Sequence, residues 1–178
     1  MNLLISLFYA PIVFYSLRNF ELKTVSLIIF IFSLFWFIFS IKKSIKEYIF
    51  PLFYLMVSIL AYFLDNFLFL KMLPLLISGL ISIYILYSYI SKNSFIFIFL
   101  ERLKKKVEEK EKNYIHKSTL FWFYISLTNV SIHSFVLYSK DMFYWTFYSS
   151  VGWYFLFIIA GIVQFVHRKI YLKGKVDV

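Results

Sequence analysis

The residues that could carry chemistry are few, and none falls into a known catalytic pattern. The chain has three histidines and no cysteine, so disulfides, thiolate metal sites and thiol nucleophiles are excluded. No HExxH, GxSxG or phosphate-binding GxxxxGK pattern occurs. His133 follows Asn129 by one helical turn, so the two are expected to share a face and a hydrogen bond. Because a metal site would need further His or carboxylate ligands, we predict no catalytic residue, no metal site and no cofactor.

A second group of polar residues is the candidate functional surface. Glu101 and Arg102 are expected beside Tyr114, Lys117 and Gln164 or Arg168, in a polar cluster at the cytoplasmic rim of a helical bundle. Such a cluster could dock a partner, or it could be a salt-bridged lock between a loop and the last two helices. The residues chosen for this surface are Glu101, Arg102, Tyr114, Lys117, Trp122, Asn129, Gln164 and Arg168.

The composition indicates the setting in which these side chains are held. Of 178 residues, 62% are hydrophobic and 24% aromatic, whereas only 16% are charged. Soluble domains are about half apolar and about a quarter charged. A soluble fold would have no place for this much Phe, Leu and Ile, so we predict an integral membrane protein and exclude an ordinary soluble enzyme domain.

Six apolar stretches are available to form membrane helices. A helix that crosses the hydrocarbon needs about 20 residues, with a usual range of about 17–25. The last five stretches qualify, whereas the first is short, contains Pro11 and is expected to be re-entrant or interfacial. It lacks the basic start and the cleavage site of a signal peptide. We predict an all-α membrane protein with one integral membrane domain (1–178). It is expected to be a compact bundle of five transmembrane helices plus a short N-terminal apolar segment, which gives five or six spans. The stretches are Leu3–Leu17, Val25–Ile41, Tyr48–Leu64, Phe67–Ile90, Leu120–Tyr138 and Phe143–Val166.

The basic residues predict the orientation of the spans. Sorted by the gaps between stretches, 15 Lys and Arg residues fall on one side and 4 on the other. Such an asymmetry places the richer side in the cytoplasm, so the C-terminus is predicted to be cytoplasmic. Asp65 and Lys71 are expected at the outer boundary, where water can solvate them. Because topology accounts for the net charge of +10, no nucleic acid partner is expected.

The long segment 94–117 is predicted to be a cytoplasmic, charged, amphipathic loop or helix. Its apolar residues recur at helical spacing, and Glu101 can pair with Lys105. The basic run from Arg102 to Lys106 is expected to lie against anionic lipid headgroups. Its alternative role is a solvated loop whose charges only fix the topology.

Stripes of small and polar residues are expected where the helices meet. Ser26, Ser33 and Ser40 recur at heptad spacing in the second stretch. Ser126, Asn129 and His133 form a comparable stripe in the fifth stretch, and they could instead line a polar interior that accepts part of a ligand. Without a buried carboxylate among the spans, proton or ion transport is disfavoured.

A family resemblance covers most of the chain. The main pattern is Tyr114-x-His116-Lys117-Ser118-Thr119-x2-Trp122-x6-Asn129. Matching positions are Pro74 and Leu100-Glu101-Arg102-Leu103 before it, and Trp145, Tyr148, Tyr154 and Arg168 after it. In these residues the chain resembles a bacterial polytopic membrane protein family. Its members are often encoded beside acyltransferase and ketosynthase genes of the aryl-polyene or xanthomonadin type. Gln164 stands where that family has Glu, so an activity that needs the carboxylate would be lost. More distantly, the length and topology resemble the intracellular septation protein A family.

The resemblance and the residues together predict a polytopic protein of the bacterial inner membrane that acts in envelope biogenesis. The first hypothesis is a non-enzymatic scaffold or accessory factor for lipid or polyene assembly, with other membrane biosynthetic proteins as partners. The second is a carrier or flippase for an amphipathic lipid-linked product, and the third is a septation or envelope-elongation protein.

Overall fold

The computed structural model describes residues 3–41, 45–102 and 109–173. Helices make up 91% of these residues, and no strand occurs among them, which confirms the predicted all-α fold. The helices are α1 (Leu3–Asn19), α2 (Leu22–Ser40), α3 (Ile45–Leu64), α4 (Leu68–Ile90), α5 (Phe95–Arg102), α6 (Glu109–Leu137), α7 (Met142–Phe147) and α8 (Trp153–Lys173), with a π-helix at Tyr148–Gly152.

Four helical runs within the described ranges are long and apolar enough to cross a membrane, fewer than the five or six predicted. The predicted third span, Tyr48–Leu64, is a 17-residue apolar stretch within α3, which has 20 residues. At about 1.5 Å per residue α3 rises about 30 Å, close to the hydrocarbon thickness. The predicted first segment lies in α1, whose 17 residues include Pro11. The four runs are Leu22–Ser40, Leu68–Ile90, Glu111–Leu137 and Met142–Tyr171.

The charged segment 94–117 is helical at both of its described ends. Phe95–Arg102 forms α5, and α6 begins at Glu109 and continues into the apolar stretch predicted from Leu120. Residues 103–108, with most of the basic run, lie outside the described residues, as does the side chain of Arg102. Residues 109–119 are therefore the first part of α6, a 29-residue helix.

Two compact units make up the chain. The first contains residues 1–77 and 132–152, and the second contains residues 78–131 and 153–178. The core of the first unit combines apolar side chains of α1, α3, α4 and α7, among which Ala10, Ala61, Leu70 and Trp145 are at most 1% exposed.

In the first unit, α2 and α3 form an antiparallel pair. Phe37, near the end of α2, contacts Tyr48 near the start of α3, with ring centroids 6.2 Å apart. Ser26, near the start of α2, lines the same groove as Ser58 and Tyr62 in the later part of α3. Contacts at both ends show that the two helices run side by side over most of their length.

The predicted serine stripe of α2 lies on its buried face. Ser26, Ser33 and Ser40 are each at most 4% exposed, and Ser33 donates a hydrogen bond to the carbonyl oxygen of Ile29. Large apolar side chains on other faces are open, such as Phe32 at 73% and Phe39 at 75% exposure. Soluble monomers rarely expose large continuous apolar surfaces, so this pattern agrees with a multi-pass membrane protein.

Pro74 explains how α4 is joined to its neighbours in the first unit. Proline has no N–H to donate to the carbonyl of residue 70, four positions earlier. The phenol of Tyr9 in α1 donates to that Leu70 carbonyl instead, at 2.9 Å. Trp145 of α7 donates its indole N–H to the adjacent Lys71 carbonyl, at 3.1 Å.

The structure corrects the expectation that Lys71 lies in water. Its side chain is only 3% exposed, and Nζ lies 3.4 Å from the carbonyl oxygen of Ser139. The ammonium group also lies 5.8 Å from the ring centroid of Phe67 and 5.9 Å from that of Trp145. Lysine is covered because its long stem packs among apolar side chains. Asp65, by contrast, is exposed as expected.

The second unit is built from the later part of α4, α5, most of α6, and α8. The turn between α4 and α5 is tightened by Ser88, whose hydroxyl donates to the Asn93 carbonyl and accepts from the Phe95 N–H. Ser94, just before α5, shares a hydrogen bond with Thr119 of α6, with their oxygens 2.5 Å apart. These bonds fix α5 beside the first half of α6.

Candidate functional site: the α6–α8 cluster

The strongest concentration of predicted site residues lies between α6 and α8, in the second unit. We call Glu111, Tyr114, Trp122, Gln164, His167 and Arg168 the α6–α8 cluster. Tyr114 donates its phenol proton to the backbone carbonyl of Gln164, at 3.1 Å. The indole N–H of Trp122 donates to the side-chain Oε1 of the same Gln164. Gln164 is therefore held by two aromatic residues of α6, one at its backbone and one at its side chain.

His167 extends this network by one turn of α8. Its Nδ1 lies 3.3 Å from the phenol oxygen of Tyr114, and the two rings stack with centroids 5.7 Å apart. With the phenol proton of Tyr114 directed at the Gln164 carbonyl, the phenol oxygen can accept from Nδ1 of His167 in the tautomer that is protonated there. Tyr171 packs against Tyr114 from the next turn, at 5.0 Å between centroids.

An ion pair closes one end of the cluster. Arg168 Nη2 lies 2.8 Å from Glu111 Oε1, and the Glu111 side chain is only 17% exposed. Glu111 stands in the first turn of α6, where the helix dipole also favours a negative charge. The charge of this arginine is therefore neutralised within the protein.

Two grooves flank the cluster. The lysine groove, of about 440 Å³, has walls that include Lys117, Ser118, Phe121, Val163, Gln164 and His167. The α5 groove, of about 380 Å³, has walls that include Phe95, Phe99, Leu100, Trp122, Gly161 and Arg168. Both volumes lie in the range of small-molecule sites, about 300–1,000 Å³. Both are mainly apolar, with polar groups confined to a few positions.

The structure brings together five of the eight predicted residues. Tyr114, Trp122, Gln164 and Arg168 belong to the cluster, and Lys117 shares the lysine groove with Tyr114 and Gln164. The remaining three are placed as follows: Glu101 is exposed on α5, Arg102 ends α5 with its side chain outside the described part, and Asn129 is buried farther along α6.

Asn129 has a packing partner of its own. Its Nδ2 donates to the hydroxyl of Ser78 on α4, at 3.1 Å. Ser126 of the same predicted stripe donates to the carbonyl of Phe123 in its own helix, at 2.8 Å. His133, within the first unit, is buried with its ring edge-to-face against Tyr148, at 4.9 Å between centroids. Each of these three side chains thus contacts the protein itself.

Three residues at or beside the cluster are not among those predicted from the sequence. Several acidic and basic residues surround Glu111, and only the fold shows that its partner is Arg168. His167 and Tyr171 both pack against Tyr114. Their spacing from Gln164, three and seven positions, places all three on one helical face, and this signal was available.

Few acidic or imidazole groups converge in the structure. In the part of the chain that is described, no three His, Asp or Glu side chains come close enough to hold a metal ion. Comparison of the chain with protein-family models, curated proteins and solved structures found no match.

Proposed function

We propose that the chain is a multi-pass protein of the bacterial inner membrane and a non-enzymatic accessory factor for lipid or polyene assembly. The observation that carries this proposal is the α6–α8 cluster, in which the polar side chains hydrogen-bond to one another and leave a mainly apolar groove on either side. Such a surface suits the docking of an amphipathic molecule or a partner helix. The resemblance noted above supplies the biological setting, because members of that family are encoded beside acyltransferase and ketosynthase genes.

Five spans and a cytoplasmic C-terminus are the topology we propose. The antiparallel contacts of α2 and α3 support it, because a helix that runs back along a membrane-spanning partner returns to the first side. The charges agree: in the sequence Lys42 and Lys43 stand between α2 and α3 and Lys46 is the second residue of α3, whereas Asp65 follows α3.

Single cysteines test this topology directly, because the chain has none of its own. A membrane-impermeant maleimide should label Asn66→Cys in intact cells. It should label Lys43→Cys only after the membrane is permeabilised. Labelling of both positions under the same condition would show that α3 does not cross.

The accessory role is tested at α5, whose exposed side chains border the α5 groove. A photo-crosslinking residue at Phe99, which is 60% exposed, should capture acyltransferase-type partners, whereas one at Phe32 on α2 should not. Glu101→Ala should weaken co-purification of those partners while the protein still inserts. Crosslinks that are absent at Phe99, or equal at both positions, would argue against docking at this surface.

A carrier for an amphipathic lipid-linked product is supported less well. That hypothesis depends on Ser126, Asn129 and His133 offering a polar interior, and each of them contacts the protein itself. These contacts favour a role of the three side chains in helix packing over a role in ligand binding. Reconstituted protein that moves labelled lipid between leaflets, and loses this ability in Asn129→Leu, would reverse the preference.

A further inference from the structure

The lysine groove has a polar level and an apolar level. Because α6 and α8 run antiparallel there, with Tyr114 against His167 and Trp122 against Phe157, the one-turn step from Lys117 to Phe121 on α6 and the one from His167 to Val163 on α8 lead toward the same end of the groove. One end of the groove thus offers a cation and polar groups, and the other offers an aromatic ring and an aliphatic side chain. This is the division between the head and the tail of a lipid.

The two grooves differ in charge. Arg168 in the α5 groove is neutralised by Glu111, 2.8 Å away. Lys117 in the lysine groove is exposed, and the described residues that form the walls of that groove include no Asp or Glu. An anionic ligand is therefore complementary to the lysine groove and not to the α5 groove.

We infer that the lysine groove binds one anionic phospholipid, with its phosphate at Lys117 and an acyl chain along Phe121 and Val163. Both walls belong to helical runs that are apolar enough to cross a membrane. A lipid can therefore enter the groove from the bilayer without exposing its acyl chain to water. The residues of this site are not those of the basic run Arg102–Lys106. The inference rests on the proposed function in one respect, the location of the α6–α8 cluster on the cytoplasmic side of the membrane. It requires no protein partner.

Selective lipid retention tests the inference. The protein is reconstituted in vesicles of equimolar phosphatidylglycerol and phosphatidylcholine and extracted with mild detergent, and the lipids that remain bound are counted by native mass spectrometry. A basic residue near a membrane surface contributes about 1 kcal/mol toward anionic lipid, so phosphatidylglycerol should be retained about fivefold over phosphatidylcholine.

Four variants separate the contribution of the Lys117 charge to lipid binding from that of the apolar end of the groove. Lys117→Gln should bring the ratio close to one, and Lys117→Arg should preserve it. Lys169→Gln is the matched control, because Lys169 is an exposed cation on α8, the other wall of the groove, and its ammonium group lies over the ring of Phe165 instead. Val163→Trp should fill the apolar end and lower the retention of phosphatidylglycerol without changing any charge.

Three results would overturn the inference. They are equal retention of the two lipids by the unmodified protein, an equal loss in Lys169→Gln and Lys117→Gln, and full retention in Val163→Trp. Any of them would leave crosslinking at Phe99 unaffected, so failure of the lipid site and failure of the accessory role can be told apart.

Discussion

The phenol of Tyr9 donates a hydrogen bond to the carbonyl oxygen of Leu70, 2.9 Å away, where the α4 helix has no donor of its own. Pro74 stands four residues later and has no N–H. Tyr9 is 8% exposed and Leu70 is fully buried, so water is a poor substitute for the phenol. A residue of α1 therefore completes the hydrogen bonding of α4.

Removal of this phenol should destabilise the protein. Tyr9→Phe keeps the ring, which packs edge-to-face on Tyr54 at 5.2 Å between centroids, and it leaves the Leu70 carbonyl unpaired. An unsatisfied buried polar group costs about 1–3 kcal/mol. A free energy of unfolding in detergent, from denaturant titration, should fall by this amount.

Pro74→Ala provides the control for that variant. Alanine restores the N–H that can donate to the Leu70 carbonyl, so Tyr9→Phe should cost clearly less in the Pro74→Ala background than in the natural chain. The difference between the two costs is the coupling energy of a double-mutant cycle. A coupling energy of zero would mean that Tyr9 contributes only through its ring.

Gly152 is required by the ring of Tyr148. A Cβ at position 152 would lie 2.7 Å from Cδ2 of Tyr148, inside the π-helix that both residues occupy. Gly152→Ala should force the ring away from His133 and lower the free energy of unfolding by about 1–3 kcal/mol, as overpacking does. The same titration in detergent measures the loss.

Gly161→Ala is the matched control for Gly152→Ala. A Cβ at Gly161 would meet no atom within 4 Å, and alanine is the better helix former by about 1 kcal/mol. This variant should be neutral or slightly stabilising. Equal effects at both glycines would show that backbone propensity, rather than the Tyr148 ring, governs the loss.

The helical fold could be predicted from sequence because long apolar runs with few breaks have no alternative in a membrane. The run from Phe67 to Ile90 was placed within one residue of α4, Leu68–Ile90. The start of α6 was placed too late, since the charged residues from Glu109 onward lower the hydrophobicity without interrupting the helix. The π-helix at Tyr148–Gly152 left no pattern that was recognised.

The candidate site was predictable in part of its residues but not in its bonds. The sequence predicted Tyr114, Lys117 and Gln164 or Arg168 as neighbours, but it also placed Glu101 and Arg102 beside them. Which atoms pair depends on the rotation of α6 against α8, and helical periodicity does not determine that rotation. The burial of Lys71 was missed for the same reason, because a position near a helix end does not reveal what covers the side chain.

The bond between Trp122 and Gln164 makes the amide oxygen, rather than the amide nitrogen, the important group. Gln164→Glu keeps an acceptor for the indole N–H and should retain stability, whereas Gln164→Leu should lose about 1–2 kcal/mol, the net value of a buried hydrogen bond and its orphaned donor. Thermal unfolding in detergent ranks the two variants. In a Trp122→Phe background, Gln164→Leu should cost little; an unchanged cost there would exclude the indole as the partner.

The serine stripe of α2 is a packing surface, and enlarging one of its members should show this. Ser33 is 4% exposed on the buried face of α2, so Ser33→Leu introduces an isobutyl group on a face covered by protein and should lower the free energy of unfolding by about 1–3 kcal/mol. Phe32→Leu is the control, because Phe32 is 73% exposed on the adjoining face and should tolerate the change within about 0.5 kcal/mol. The free energy of unfolding of both variants is measured in mixed detergent micelles. If Ser33→Leu is as mild as Phe32→Leu, the stripe does not need small residues, and α2 is held by its aromatic contacts with α3.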